Sequence, residues 1–208
     1  MFPWKFDTTR VLRGEVSGVV GADLPDRLPI AELPITGSTQ PYRPIAVFRR
    51  GGPQNRFLRD VAAKKWVCTT IVTPDEAYDL VDKYTDAFTE PQRMAAVRRD
   101  AQMSPIDWWD RNRDRLLAKY GGDRHVLREA VYREFGKECT QFKISLAYAV
   151  ISMFTGHRLR WIDMSAGWGD RLMAALAYSE LDYYHAFDPN TDLIPGHQAI
   201  IGKYGGAN

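Results

Sequence analysis

The sequence predicts an α/β protein: a β-α-β unit near the C-terminus, preceded by a helical region and an irregular, short-strand N-terminal segment. Three observations carry that expectation. Residues 1–65 are rich in Pro and Gly, with Pro25, Pro29, Pro34, Pro41 and Pro44 separating short apolar pieces, so extended segments and turns are expected there. Residues 66–137 show apolar positions at three-and-four spacing, the period of helices packed on one face. Residues 138–208 run from a helical period into a compact apolar run, a Gly-containing turn, an Ala-rich helix and a second short apolar run.

Composition sets the bounds. The chain has 208 residues, 45% hydrophobic and 26% charged, enough for a real core in one large domain or two small ones. No apolar run approaches the roughly 18 residues of a membrane span. The start, Met1-Phe2-Pro3-Trp4-Lys5-Phe6, lacks the basic-then-apolar order of a signal peptide, so a cytoplasmic chain without membrane association is expected. Cys68 and Cys139 lie far apart without neighbouring ligand pairs, which argues against a zinc site or a disulfide framework. A net charge of +2 does not imply nucleic-acid binding by itself. Arg49, Arg50, Arg56, Arg59, Lys64 and Lys65, relieved mainly by Asp60, nevertheless form a candidate nucleic-acid surface, with an ordinary solvated surface as the alternative.

The elements follow in order. Residues 66–72 are β-branched and aromatic, the signature of a strand. Thr73 then offers an N-cap and Pro74 a first helical residue, with Asp75 and Glu76 beside the positive helix end. Ala77, Leu80, Val81, Tyr84 and Phe88 share a face, which predicts a helix to about Phe88 closed by Pro91. A helix over 107–120 turns Trp108, Leu116 and Leu117 inward and stops at Gly121-Gly122; another over 123–135 uses Val126, Leu127, Ala130, Val131 and Phe135 and stops at Gly136. Residues 141–154 are apolar on most sides, which predicts a buried helix.

After Gly156 the period changes. Residues 159–164 read as a buried strand that ends at Asp163 and opens into Ser165-Ala166-Gly167-Trp168-Gly169-Asp170-Arg171. Residues 172–178 begin a helix, and 182–187 read as a second strand ending at Asp188. Where a parallel strand turns sharply into a helix, glycines remove the side chains that would keep a ligand off the backbone. Asp188 lies about 20 residues beyond the turn, where such folds place a carboxylate on ribose hydroxyls. The order predicts a Rossmann-like nucleotide-binding unit. The alternative is a plain tight turn, with Asp188 capping a helix that starts near Asp192. NAD is a rival ligand, but the third glycine of its usual turn is missing.

Trp161-Ile162-Asp163-Met164-Ser165-Ala166-Gly167-Trp168-Gly169-Asp170-Arg171-Leu172 resembles motif I of class I S-adenosylmethionine-dependent methyltransferases, most of all the Asp-x-Ser-Ala-Gly-Trp-Gly-Asp-Arg variant found in phages and large DNA viruses. The resemblance covers about residues 138–200. It implies S-adenosylmethionine as cofactor, with Asp163, Ser165, Ala166, Gly167 and Gly169 around its methionine end and Asp188 on its ribose. Thr140-Gln141-Phe142-Lys143 is similar to a segment preceding motif I, which implies that Phe142 and Lys143 reach the methionine carboxylate. Trp168 either covers the cofactor or packs on a helix, and Asp170 and Arg171 are expected to pair or to cap.

The substrate-side Asp/Asn-Pro-Pro-aromatic motif of amino methyltransferases is absent, and Asp188-Pro189-Asn190 falls after the wrong strand to supply it. Two parallel strands cannot close a cofactor site alone. The expectation is therefore a split or truncated methyltransferase completed by a second chain, a longer gene or the N-terminal region. The alternative is a non-catalytic assembly subunit that retains the fold, with Trp4, Trp108 and Trp109 as interface anchors.

Overall fold

The computed structural model describes residues 1–5, 36–37, 45–49, 69–73, 84–152 and 158–205. Early in the chain, β1 (Thr36–Gly37), β2 (Ile45–Arg49) and β3 (Thr69–Thr73) form a sheet in the order β1-β3-β2. β2 runs parallel to β3, pairing Val47 with Ile71, and β1 runs antiparallel to it. The composition of β3, Thr-Thr-Ile-Val-Thr, suits a pleated surface. The expected helix start at Pro74, its stretch over 74–83 and the basic residues Arg50, Arg56, Arg59, Lys64 and Lys65 lie outside the described residues; of Arg49 only the strand is described.

α1 (Asp86–Ala95) corrects the expected closure at Pro91, because Pro91 lies inside the helix. An interior proline removes one backbone bond and crowds the preceding turn, at a cost of about 3 kcal/mol. Packing outweighs that cost: Ala87, Phe88 and Met94 are fully buried, and Asp86, Glu90 and Arg93 project from successive turns into buried ion pairs.

α2 (Pro105–Tyr120) starts with a capping box, in which Ser104 and Asp107 each accept a bond from the other's backbone amide. α3 (Arg124–Phe135) is capped by Asp123, which accepts from the Val126 amide at 2.9 Å, and ends at Gly136 in the left-handed conformation. Glu134 of α3 accepts from Lys119 and Tyr120 and pairs with Arg115, fastening α3 to α2. Phe2, Met94, Trp109, Leu116, Leu127, Ala130 and Val131 form the core between these helices. Trp109, at 2% exposure, is the inward tryptophan rather than the expected Trp108. It lies seven residues, two helical turns, from Leu116 and so shares its face. Trp108 sits at the rim against the Phe135 ring, at 5.7 Å. Val126 likewise falls off the buried stripe of Leu127, Ala130 and Val131 and is exposed.

α4 (Ile144–Ser152) precedes β4 (Leu159–Asp163), α5 (Asp170–Ala177) and β5 (Leu181–Ala186). β4 and β5 are parallel neighbours with an irregularity between Leu159 and Arg160, so the described residues include a strand-helix-strand unit on a two-stranded parallel sheet, of general α/β class. A 3-10 turn (Thr191–Leu193) leads into α6 (Ile194–Tyr204). Ala87 and Phe88 of α1 join Ile144 and Ala147 of α4, Leu172, Met173 and Ala174 of α5, and Ala199, Ile200 and Tyr204 of α6 in a second core.

β4 is not buried on both faces as its composition suggested. Trp161 and Tyr184 face the helices, their rings in edge contact at 5.3 Å. Ile162, at 62% exposure, and Met164, at 73%, face outward, and Tyr183 and Phe187 are exposed too. The physical reason is that the described helices packed on this sheet lie against the face of Trp161 and Tyr184. Among the described residues, no helix is long and apolar enough to cross a membrane.

Candidate functional site

The turn from β4 into α5 owes its shape to two glycines. Gly167 has φ +57° and Gly169 φ +98°, both in the region that L side chains rarely adopt. A Cβ on Gly169 would stand 2.6 Å from Ile200 Cδ1, whereas one on Gly167 would meet nothing closer than the Ser165 carbonyl at 3.8 Å. Gly169 therefore lets α6 approach the start of α5.

Asp188 closes onto this turn. One of its oxygens accepts from the Gly167 amide at 2.7 Å and the other from the Asn190 amide at 2.9 Å. The 3-10 turn is capped by Asn190, which accepts from the Asp192 amide, and not by Asp188. Opposite, His197 Nε2 stands 2.9 Å from the Gly167 carbonyl. A carbonyl only accepts, so Nε2 carries the proton. Burial lowers the His197 imidazole below its ordinary range, more than this hydrogen bond raises it, which keeps the ring neutral.

Asp163, at the end of β4, is buried and holds three donors. It accepts from the Ser165 amide at 3.1 Å, Arg171 Nε at 2.7 Å and the Tyr184 hydroxyl at 2.8 Å. Burial alone would raise its carboxyl, but the bonds from Arg171 and Tyr184 outweigh that and hold it below the usual carboxylate range. Arg171 also reaches the Ser165 carbonyl and lies over the Phe142 ring, 5.2 Å from its centre. Trp168 donates from its indole to the Thr140 carbonyl at 3.3 Å.

Asp170 and Arg171 do not pair with each other. Asp170 turns the other way and accepts from the Thr85 hydroxyl at 2.7 Å. That contact opens into a buried network. Gln141 donates to Thr85 and Asp86, Arg93 pairs with Asp86 and Glu138, and Arg128 pairs with Glu90 and Glu138. Lys5 joins through its backbone amide to Glu90 and its ammonium to Asp86. Burial pushes the Asp170 carboxyl up to about 7, against the pull of the Thr85 hydroxyl, and Asp86 adds to the rise.

Of the residues singled out in the sequence, Asp163, Ser165, Gly167, Gly169 and Asp188 thus meet at the carboxyl ends of β4 and β5. Phe142 enters the same group through Arg171. Lys143 is half-buried just before α4, and Ala166 is buried, its amide donating to the Phe187 carbonyl. His197, Tyr184, Thr85 and Thr89 were missed: each is one polar residue in an otherwise apolar or mixed stretch, and no spacing marks it. Thr89 donates to the Trp168 carbonyl at 2.9 Å and so ties the turn to α1. Among the described residues no cluster of His, Cys, Asp or Glu suits a metal ion. Comparison of the chain with protein-family models, curated proteins and solved structures gives no match.

Proposed function

We propose that this chain binds S-adenosylmethionine at the β4–α5 turn and serves methyl transfer, as a Rossmann-like methyltransferase or as one piece of a split one, with nucleic acid as the methyl acceptor. The observation that carries the reading is the bond from the Gly167 amide to Asp188. It fixes the acid after the second strand beside the glycine turn, with one backbone donor on each carboxylate oxygen. A carboxylate accepts about four bonds, so two acceptor positions remain for a vicinal diol such as ribose. Gly167 brings no side chain to the same place, whereas the space beside Gly169 is taken by Ile200 and His197.

The cofactor would supply an activated sulfonium methyl group for in-line displacement. The chain's own part is positional. Asp188 would hold the ribose, and His197, neutral and bonded to the Gly167 carbonyl, would keep the turn from rotating. Asp163 fits the methionine ammonium only once Arg171 gives way. An Asp/Asn-Pro-Pro-aromatic motif to hold an acceptor base does not occur in these 208 residues, so the reading covers the cofactor side and leaves the acceptor side to a second chain, a longer gene or the N-terminal region.

Isothermal titration with S-adenosylmethionine and S-adenosylhomocysteine tests this. Saturable binding is expected, and Asp188→Ala should weaken it by about 10- to 100-fold, the worth of charge-assisted bonds to a diol. No binding by the chain alone or with a co-purifying partner would remove the reading. The exposed apolar residues Ile162, Met164, Tyr183 and Phe187, on the face of the sheet away from the described helices, favour a second reading, a subunit that docks a partner without cofactor chemistry. There Asp188→Ala leaves a stoichiometric complex intact.

A further inference from the structure

The surroundings of Arg171 make a receptor for an organic cation: a buried carboxylate (Asp163), a backbone carbonyl (Ser165) and an aromatic face (Phe142) converge on one guanidinium. We propose that this is a ligand cation seat which Arg171 occupies as an internal competitor, so that a ligand bearing an ammonium group binds by displacing the arginine. The inference rests on the cofactor reading above for the identity of the ligand, but not for the existence of the seat.

Three features distinguish a displaceable occupant from a fixed brace. Arg171 is the second residue of α5, where a cation faces the positive end of the helix; its position is therefore set by the seat and not by the helix. Asp163 keeps two other donors, the Ser165 amide and the Tyr184 hydroxyl, so its carboxylate stays oriented when the guanidinium leaves. The ring that covers Arg171 belongs to Phe142, an exposed residue before α4, so the guanidinium has a route outward. An arginine tied into the buried network, such as Arg128 with Glu90 and Glu138, has no such route.

The test separates seat from ligand. Arg171→Ala leaves the cradle without its cation, and millimolar guanidinium chloride, against sodium chloride at equal ionic strength, should raise its melting temperature saturably while leaving the native chain unmoved. If the variant folds only poorly, guanidinium should restore its circular dichroism, which serves as the same readout. In Asp163→Asn/Arg171→Ala the effect should vanish. Equal responses to guanidinium and sodium in Arg171→Ala, or rescue that persists in the double variant, overturn the seat. If Arg171 fills the seat nine-tenths of the time, its removal should tighten S-adenosylmethionine binding about tenfold. Weaker binding of S-adenosylmethionine by Arg171→Ala than by the native chain makes the arginine a brace and overturns the competition. Guanidinium rescue with no S-adenosylmethionine binding in either chain keeps the seat and removes only the cofactor reading.

Discussion

Replacing Asp170 by Asn tests the charge balance of the buried network. Asp86, Glu90 and Glu138 are matched by Lys5, Arg93 and Arg128. Asp170 is a fourth acid whose contacts are the neutral Thr85 hydroxyl and the Phe142 amide. With every acid ionised, the cluster would carry one surplus negative charge away from water, and the least compensated acid keeps its proton instead. Its carboxyl accordingly titrates at about 7 against an ordinary 3.8. A difference of roughly three units, at about 1.4 kcal/mol each, amounts to about 4 kcal/mol.

The sign follows from proton linkage. The folded chain holds a proton that the unfolded chain releases, so this stabilisation is fully present below the unfolded value of 3.8 and lost as pH rises through about 7. Between about pH 5 and about pH 8 the loss is about 3 kcal/mol. Asn cannot ionise and still accepts from Thr85. Allowing about 1 kcal/mol for an imperfect hydrogen bond, Asp170→Asn should exceed the native chain by about 3 kcal/mol near pH 8 and by less than about 1 kcal/mol near pH 5. Urea unfolding followed by tryptophan fluorescence across that range measures it. His197, lowered by burial, makes stability rise with pH and so opposes the trend, but it is common to both chains and cancels in the difference. Parallel profiles, or a variant weaker than native near pH 8, would refute the charge count.

Other expectations read the geometry directly. Gly169→Ala must adopt φ +98° and push Ile200 aside, so it should destabilise by about 3 kcal/mol, whereas Gly167→Ala, whose Cβ meets only the Ser165 carbonyl at an ordinary 3.8 Å, should cost about 1 kcal/mol; paired thermal melts compare them. At Gly196 a Cβ would stand 2.8 Å from the Phe88 carbonyl and 2.7 Å from Thr89 Cγ2, so Gly196→Ala should cost more than about 2 kcal/mol in denaturant unfolding by forcing α6 off α1. Arg128→Met leaves Glu90 with only the Lys5 amide and Glu138 with only Arg93, and should cost about 3 to 5 kcal/mol, with Glu138→Gln in the same background recovering part of the loss in a double-mutant cycle.

How much of this could be read from the sequence depended on whether the signal was local. Ser104, Asp123, Gly121 and Gly136 act on their own neighbours, and the helices start and stop at them to within two residues of the expected positions. The runs around Trp161 and Tyr184 became β4 and β5, and the glycine turn lies between β4 and α5 as expected. Long-range effects were not legible. Pro91 is a local stop signal, overridden because Glu90 reaches Arg128 and Lys5, partners 38 and 85 residues away that no window contains. The choice of Trp109 over Trp108 depended on which side of α2 faces Leu127 and Val131, and the exposure of Ile162 and Met164 on which side of β4 the described helices occupy. At the site, the residue types were visible, but their partners were not: Asp163 orders the loop through the Ser165 amide and also holds Arg171 and Tyr184, pairings that no motif marks.

The same long-range contacts argue against treating residues 138–208 as a self-sufficient unit. The glycine turn is held by α1 as much as by its own strands: Thr89 bonds the Trp168 carbonyl, Thr85 bonds Asp170, and Phe88 packs with Leu172 and Met173 in one core. α1 in turn is fixed by Lys5, Arg128 and Glu138, and Met94 carries it into the core of α2 and α3. A buried ionic network stabilises little against an apolar core of equal volume, yet it is costly to break at any single point, so it fixes one arrangement of the parts it joins. Here it joins the N-terminal residues, α1, α3 and the first residue of α5. The glycine turn is thereby tied through Asp170, Thr85, Gln141 and Asp86 to Lys5 and Arg93, so a change at either should shift the stability of the turn without touching it.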